Sequence, residues 1–140
     1  MRSFHHLLMK AHTSLHKKVM ADAAAYALTA GQPKILEFLA QAGSADQKTI
    51  AEHCEIEPAT VGSILTRMEG VGLVERRRLQ ENRRSVLVSL TLSGEQAARD
   101  TQKIFEKNEE AALSGLTEAE RETLCSLLER VYLNLRLKEV

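Results

Sequence analysis

"GLVERRRLQENRRSVLVSLTLSG", residues 72–94, gathers five arginines between Arg76 and Arg84 in a chain whose formal net charge is zero. Glu81 is the only acid among them. The segment that follows, Ser85-Val86-Leu87-Val88-Ser89-Leu90-Thr91, is rich in β-branched residues and reads as a strand. A basic turn beside a strand suits a negatively charged partner. The guanidinium fork matches phosphates and guanine edges better than an ammonium group does. A solvated surface turn is the competing reading of any such charge run, so the flanking chain has to decide.

Overall neutrality conceals a segregation. Residues 1–57 carry six basic and six acidic side chains, whereas residues 58–92 carry six arginines against Glu69, Glu75 and Glu81. Residues 93–140 carry seven basic and ten acidic groups, so the positive patch is local. The chain has 140 residues, 44% of them hydrophobic, which fits one small globular domain with helical extensions and excludes wholesale disorder. Its two cysteines, Cys54 and Cys125, form no CxxC pair and suit a reducing compartment. The first residues, MRSFHHLLMKAH, hold no apolar run long enough for a signal peptide or a membrane span. A cytoplasmic protein without membrane association is expected.

Helix starts are legible outward from the arginine-rich stretch. Thr29-x-x-Gln32, Ser44-x-x-Gln47, Ser93-x-x-Gln96 and Thr117-x-x-Glu120 all read as capping boxes. Pro33 and Pro58 suit first helical turns, where a missing N–H costs little, and Gly43 and Gly115 sit where helices should stop. The periodicity predicts helices over about 4–27, 30–42, 46–54, 58–70, 94–112 and 118–137, and strands over about 73–78 and 85–91 with a turn at 79–84. In the last helix Leu124, Leu127, Leu128, Val131 and Leu135 form one apolar stripe.

Two short helices joined by a tight turn and followed by a basic-tipped hairpin make a winged helix-turn-helix. In that arrangement the second helix enters the major groove and the wing follows the backbone toward the next minor groove. The expected fold is therefore mainly α with a small β-hairpin: a winged part over 28–92, flanked by N- and C-terminal dimerisation helices over 4–27 and 94–138, all within a single domain of 1–140. The arginines belong to the wing, and their partner is a phosphate backbone.

The same residues resemble the MarR family of transcriptional regulators. Leu28-Thr29-x-x-Gln32-x-x-Ile35-Leu36 is followed by Thr49-Ile50-Ala51-Glu52 and Glu57-Pro58-Ala59-Thr60-Val61. Met68-Glu69-x-x-Gly72-Leu73-Val74-x-Arg76, Arg83-Arg84 and Leu90-Thr91-x-x-Gly94 complete the series in order and spacing. The resemblance implies a homodimer that binds a pseudo-palindromic operator in double-stranded DNA, acts as a repressor, and answers a small-molecule effector or chemical signal. Two positions depart from the pattern. Asn82 stands where family wings carry an aspartate that orients the wing-tip arginine, and Gly62 stands where the recognition helix often has threonine or serine. Glycine there costs about 1 kcal/mol of helix stability relative to alanine.

On the 58–70 helix, spacing puts Ala59, Thr60, Ser63 and Arg67 toward solvent and Val61, Ile64, Leu65 and Met68 inward. The expected DNA-contacting set is Ala59, Thr60, Gly62, Ser63 and Arg67, with Arg83 on phosphate and Arg84 in the minor groove. Gly62 belongs to it only if the helix backbone approaches the DNA closely; otherwise the position reads nothing. Arg76, Arg77 and Arg78 alternate across a strand, so they cannot all face DNA, and at least one should pair with an acid of its own subunit. His16, Tyr26 and Phe38 are expected at an effector pocket, although each suits the core equally well.

Four of the five histidines lie in the first helix, and His12/His16 has the i, i+4 spacing of a metal-ligand pair. A histidine-bearing dimer face explains them as well. No metal site and no cofactor are expected, and a metal-responsive variant of the same function is the alternative. Redox response through Cys54 is a second alternative, weakened by Glu52, Glu55 and Glu57, which disfavour a thiolate. Cys125 beside the apolar stripe reads as packing. No HExxH, glycine-rich phosphate loop or nucleophile elbow is present, so the chain is not read as an enzyme.

Overall fold

Residues 2–79 and 82–137 are described by a computed structural model, with side chains described outside Leu79, positions 82–85 and Leu137. The elements are α1 (Phe4–Ala24), α2 (Gln32–Ala42), β1 (Ser44–Asp46), α3 (Gln47–Cys54), α4 (Pro58–Gly70), β2 (Val74–Leu79), β3 (Asn82–Leu90), α5 (Leu92–Ala112) and α6 (Glu118–Leu137). The winged helix-turn-helix is present, with one more strand than expected.

That strand is β1. It pairs antiparallel with β3, Ser44 opposite Ser89 and Asp46 opposite Leu87, and the sheet order is β1-β3-β2. Ser44 is thus a strand residue and not a helix cap. The cap of α3 is Asp46, whose Oδ1 accepts the Thr49 N–H at 2.8 Å. A similar displacement occurs before α5, where Thr91 Oγ1 in place of Ser93 accepts the Gly94 N–H at 3.0 Å. Thr91 Oγ1 also donates to Gly72 O at 2.6 Å, and the Thr91 N–H donates to Leu73 O at 3.1 Å. One threonine therefore joins the start of α5 to the turn between α4 and β2. The Thr29/Gln32 box is half made: the Thr29 N–H donates to Gln32 Oε1 at 3.0 Å, and the left-handed Gly31 (φ 85°) opens α2. The expected first helix reaches 27, but α1 ends at Ala24, and Ala27 sits at φ 60°.

The chain resolves into two compact units, Met1–Asn108 and Glu109–Val140. In the first, Ile35, Leu36 and Leu39 of α2 pack with Ile50, Val61, Leu65, Met68 and Val88 as one buried core. Asn108 is buried there and donates to Asp22 Oδ2 at 2.9 Å, tying α5 to α1. In the second unit Thr117 and Glu120 form a complete capping box: the Thr117 N–H donates to Glu120 Oε1, and the Glu120 N–H to Thr117 Oγ1. Arg121 grips Glu110 through both terminal nitrogens, at 2.9 and 3.1 Å. Leu124, Leu127, Leu128 and Leu135 of α6 are exposed, as are Phe4, Leu7, Leu8 and Leu15 of α1. Exposed apolar side chains repeated along two helices are what a subunit interface requires.

Candidate nucleic-acid interface

The turn between α3 and α4 is short because Glu55 accepts a left-handed backbone (φ 54°) and Pro58 opens the next helix. The inner side of α4 is fixed by Val61, Leu65 and Met68, all fully buried, with Ile64 half-buried. The opposite side leaves Ala59, Thr60, Ser63 and Arg67 exposed, as spacing places them. Ser63 Oγ lies 3.4 Å from Ala59 O, a weak bond that a better acceptor could replace.

Gly62 abuts a side chain of the preceding helix. A Cβ added there would lie 3.0 Å from Gln47 Nε2, so the missing side chain points toward α3. Gln47 Nε2 in turn donates to Pro58 O at 3.0 Å. The structural use of this glycine is the passage of Gln47 over the first turn of α4. The Gly62 carbonyl accepts from Thr66 Oγ1 at 2.9 Å and from Arg76 Nη2 at 3.3 Å. Arg76 Nη2 is also 3.1 Å from Thr66 Oγ1.

The arginines of β2 thus divide. Arg76 is half-buried and turns onto α4, where its partners are a carbonyl and a hydroxyl and not an acid, while Arg77 and Arg78 are exposed. Arg83 and Arg84 lie on β3, and their side chains are outside the described residues, as is Glu81. Thr66 and Gln47 are participants that the residue spacing does not flag. Nothing in either residue's neighbourhood in sequence announces a partner eleven positions away, as Pro58 is from Gln47, or ten, as Arg76 is from Thr66.

His16, Tyr26 and Phe38, the expected pocket residues, are not among the lining of a cleft formed by α2, β3 and α5. His16 and Tyr26 are exposed, and Phe38 is half-buried with its ring stacked on His53, centroids 4.2 Å apart. That cleft, of about 270 Å³, lies between Leu39, Ala40 and Gly43 of α2, Leu90 of β3, and Ala98 and Arg99 of α5. His12 and His16 stack at 6.0 Å on the exposed part of α1, and among the described residues no group of three or more His, Cys, Asp or Glu is placed to hold a metal ion. Cys54 is buried, and burial pushes its thiol up, with Glu37 adding to the rise and Lys34 opposing it. The cause is therefore desolvation and not the neighbouring glutamates named from sequence. Cys125 is exposed rather than packed.

Residues 28–86, from the end of α1's following turn into β3, match the MarR family model. The chain carries a MarR-family domain over that stretch. Its structure superimposes on that of Bordetella bronchiseptica BpsR, whose DNA binding is regulated by 6-hydroxynicotinic acid, with a TM-score of 0.84 at 25% identity over 94% of both chains. It superimposes on Staphylococcus aureus MepR, solved with DNA, with a TM-score of 0.86 at 23% identity over 96% of this chain and 99% of that one. In sequence it is 32% identical over 93 residues to the Bacillus subtilis helix-turn-helix transcriptional regulator YwaE, covering 66% of this chain and 54% of YwaE. The chain thus spans only about half the length of that curated relative. Among the described residues no helix is long and apolar enough to cross a membrane.

Proposed function

We propose that this chain binds a pseudo-palindromic operator in double-stranded DNA as a homodimer and represses transcription until a small molecule releases it. The carrying observation is α4: one side is locked into the core by Val61, Leu65 and Met68, and the other presents Thr60, Ser63 and Arg67 to solvent. Ala59, Thr60, Ser63 and Arg67 enter the major groove in this reading, and Arg83 and Arg84 reach along the backbone from β3. Gly62 contributes through the position of Gln47 and not by touching a base. The repeated exposed leucines of α1 and α6 supply the dimer interface. Release by a small molecule is supported by BpsR, where 6-hydroxynicotinic acid regulates DNA binding. A thiol switch at Cys54 is disfavoured because burial keeps the thiol protonated.

The test is operator selection from a randomised duplex pool, followed by binding measurements on Arg84→Ala. The variant should lose about 1–3 kcal/mol per half-site. The loss should be greatest where A·T-rich flanks narrow the minor groove and deepen its potential. Equal loss on every flank would reduce Arg84 to a phosphate contact. Absence of selected sequences would refute the operator reading.

A further inference from the structure

We infer that Arg76 is a positioning residue that locks β2 to the recognition helix, so that wing and helix read DNA as one rigid body. The inference rests on the DNA-binding reading above. Three observations carry it. Arg76 leaves the run of exposed arginines and is half-buried, with Nη2 shared between Gly62 O and Thr66 Oγ1 on the middle turns of α4. Its Nε is buried and makes no hydrogen bond, so the guanidinium is held there at a desolvation cost that a free phosphate-seeking arginine would avoid. On the other side of the same glycine, Gln47 spans from α3 to Pro58 O at the first turn of α4.

The recognition helix is therefore braced twice around Gly62, by α3 through Gln47 and by the wing through Arg76. The charge of Arg76 is used inside the domain. Its guanidinium strengthens a hydrogen bond to a carbonyl that already serves Thr66, as charge-assisted bonds do. An arginine used in this way sets the angle between groove-reading helix and wing. It adds to discrimination between sequences, not to the general attraction for phosphate.

The two roles separate in salt. A phosphate-contacting arginine contributes about 0.9 to the slope of log affinity against log salt on any B-form duplex. Arg76→Met, which keeps the length and loses the fork, should leave the slope and the affinity for a scrambled duplex unchanged. It should lower affinity for the duplex selected by the wild-type protein by roughly tenfold or more, the scale of a charge-assisted hydrogen bond. Arg67→Ala, measured beside it, should reduce slope and affinity on both duplexes. Arg76→Lys keeps the charge without the fork and should show the same loss of discrimination, which covers the case of a poorly folded methionine variant. A fall in slope for Arg76→Met, or unchanged discrimination in both variants, overturns the inference. If the wild-type chain selects no duplex, the DNA reading fails separately, and the brace is then judged by amide hydrogen exchange. Faster exchange over 62–70 in Arg76→Lys upholds it, and unchanged exchange overturns it.

Discussion

Replacing Gly62 by alanine puts a methyl carbon 3.0 Å from Gln47 Nε2 and 3.6 Å from that side chain's Cδ and Oε1. The contact is tight, and the neighbour is the free end of a side chain whose hydrogen bond to Pro58 O is exposed. Alanine is the better helix former by about 1 kcal/mol. Displacing Gln47 forfeits one neutral hydrogen bond, about 0.5–1.5 kcal/mol. The two nearly cancel, so Gly62→Ala alone should change stability by less than about 0.5 kcal/mol. In a Gln47→Ala background nothing opposes the methyl, and the same substitution should stabilise by the full ~1 kcal/mol. A double-mutant cycle by chemical denaturation should therefore give a coupling of about 1 kcal/mol. Operator affinity gives a second reading, because the double variant should bind like Gln47→Ala alone. Additive stabilities, with Gly62→Ala gaining the full amount in both backgrounds, would refute the role assigned to Gln47. Affinity lost on adding Gly62→Ala to Gln47→Ala would put the backbone of α4 against DNA after all.

Other positions give sharper outcomes. A Cβ on Gly94 lands on the Leu73 carbonyl oxygen and 3.2 Å from Leu90 Cδ2, so Gly94→Ala should destabilise by about 1–3 kcal/mol, read from the denaturant midpoint; an unchanged midpoint would mean that the Thr91 junction yields freely. Leu128→Glu should give unfolded or aggregated protein by sedimentation, and a well-folded, dilute monomer would refute the dimer. The Asn108 amide, with Lys107 helping and burial opposing, holds the Asp22 carboxyl below its ordinary range. Its folded pKa is thus lower than its unfolded one, so its contribution is present above the unfolded value and is lost as pH falls through the folded one. Asp22→Asn should accordingly flatten the acid limb of the stability profile, measured as midpoint against pH; an identical limb in both proteins would remove Asp22 from the account.

Sequence legibility followed the range of the interactions involved. Thr117 and Glu120 cap α6 as written, because both partners lie within one turn. The buried side of α4 followed from period alone, since Val61, Leu65 and Met68 recur at helical spacing. Capping failed where two polar residues compete: Asp46 beats Ser44 because Ser44 is drawn into pairing with Ser89. A strand of three residues has too few positions to show alternation, so β1 left no periodic trace. Wing strands were expected at 73–78 and 85–91 but run Val74–Leu79 and Asn82–Leu90, because pairing continues past the arginines to Leu79 opposite Asn82. Arg76 looked like the other arginines of its run, and only the packing of β2 on α4 separates it from them. The stacking of Phe38 on His53 was not legible either, because the two rings lie on different helices that sequence cannot bring alongside.

The three residues of β1 also set an order of events in biosynthesis. Their hydrogen-bonding partners at Leu87–Ser89 come after all of α3, α4 and β2, so the sheet closes around a long stretch of chain. Closing such a loop costs entropy that local helix formation does not, and non-local strand pairing is correspondingly slow. On a ribosome the chain is made from its N-terminus, so α4 emerges while β1 is still without its neighbour. A nascent chain arrested ahead of β3 carries the whole recognition helix but neither the strand that completes the sheet nor the threonine that fastens α5 to it. Maturation of the reading head then waits on a segment translated well after the helix itself.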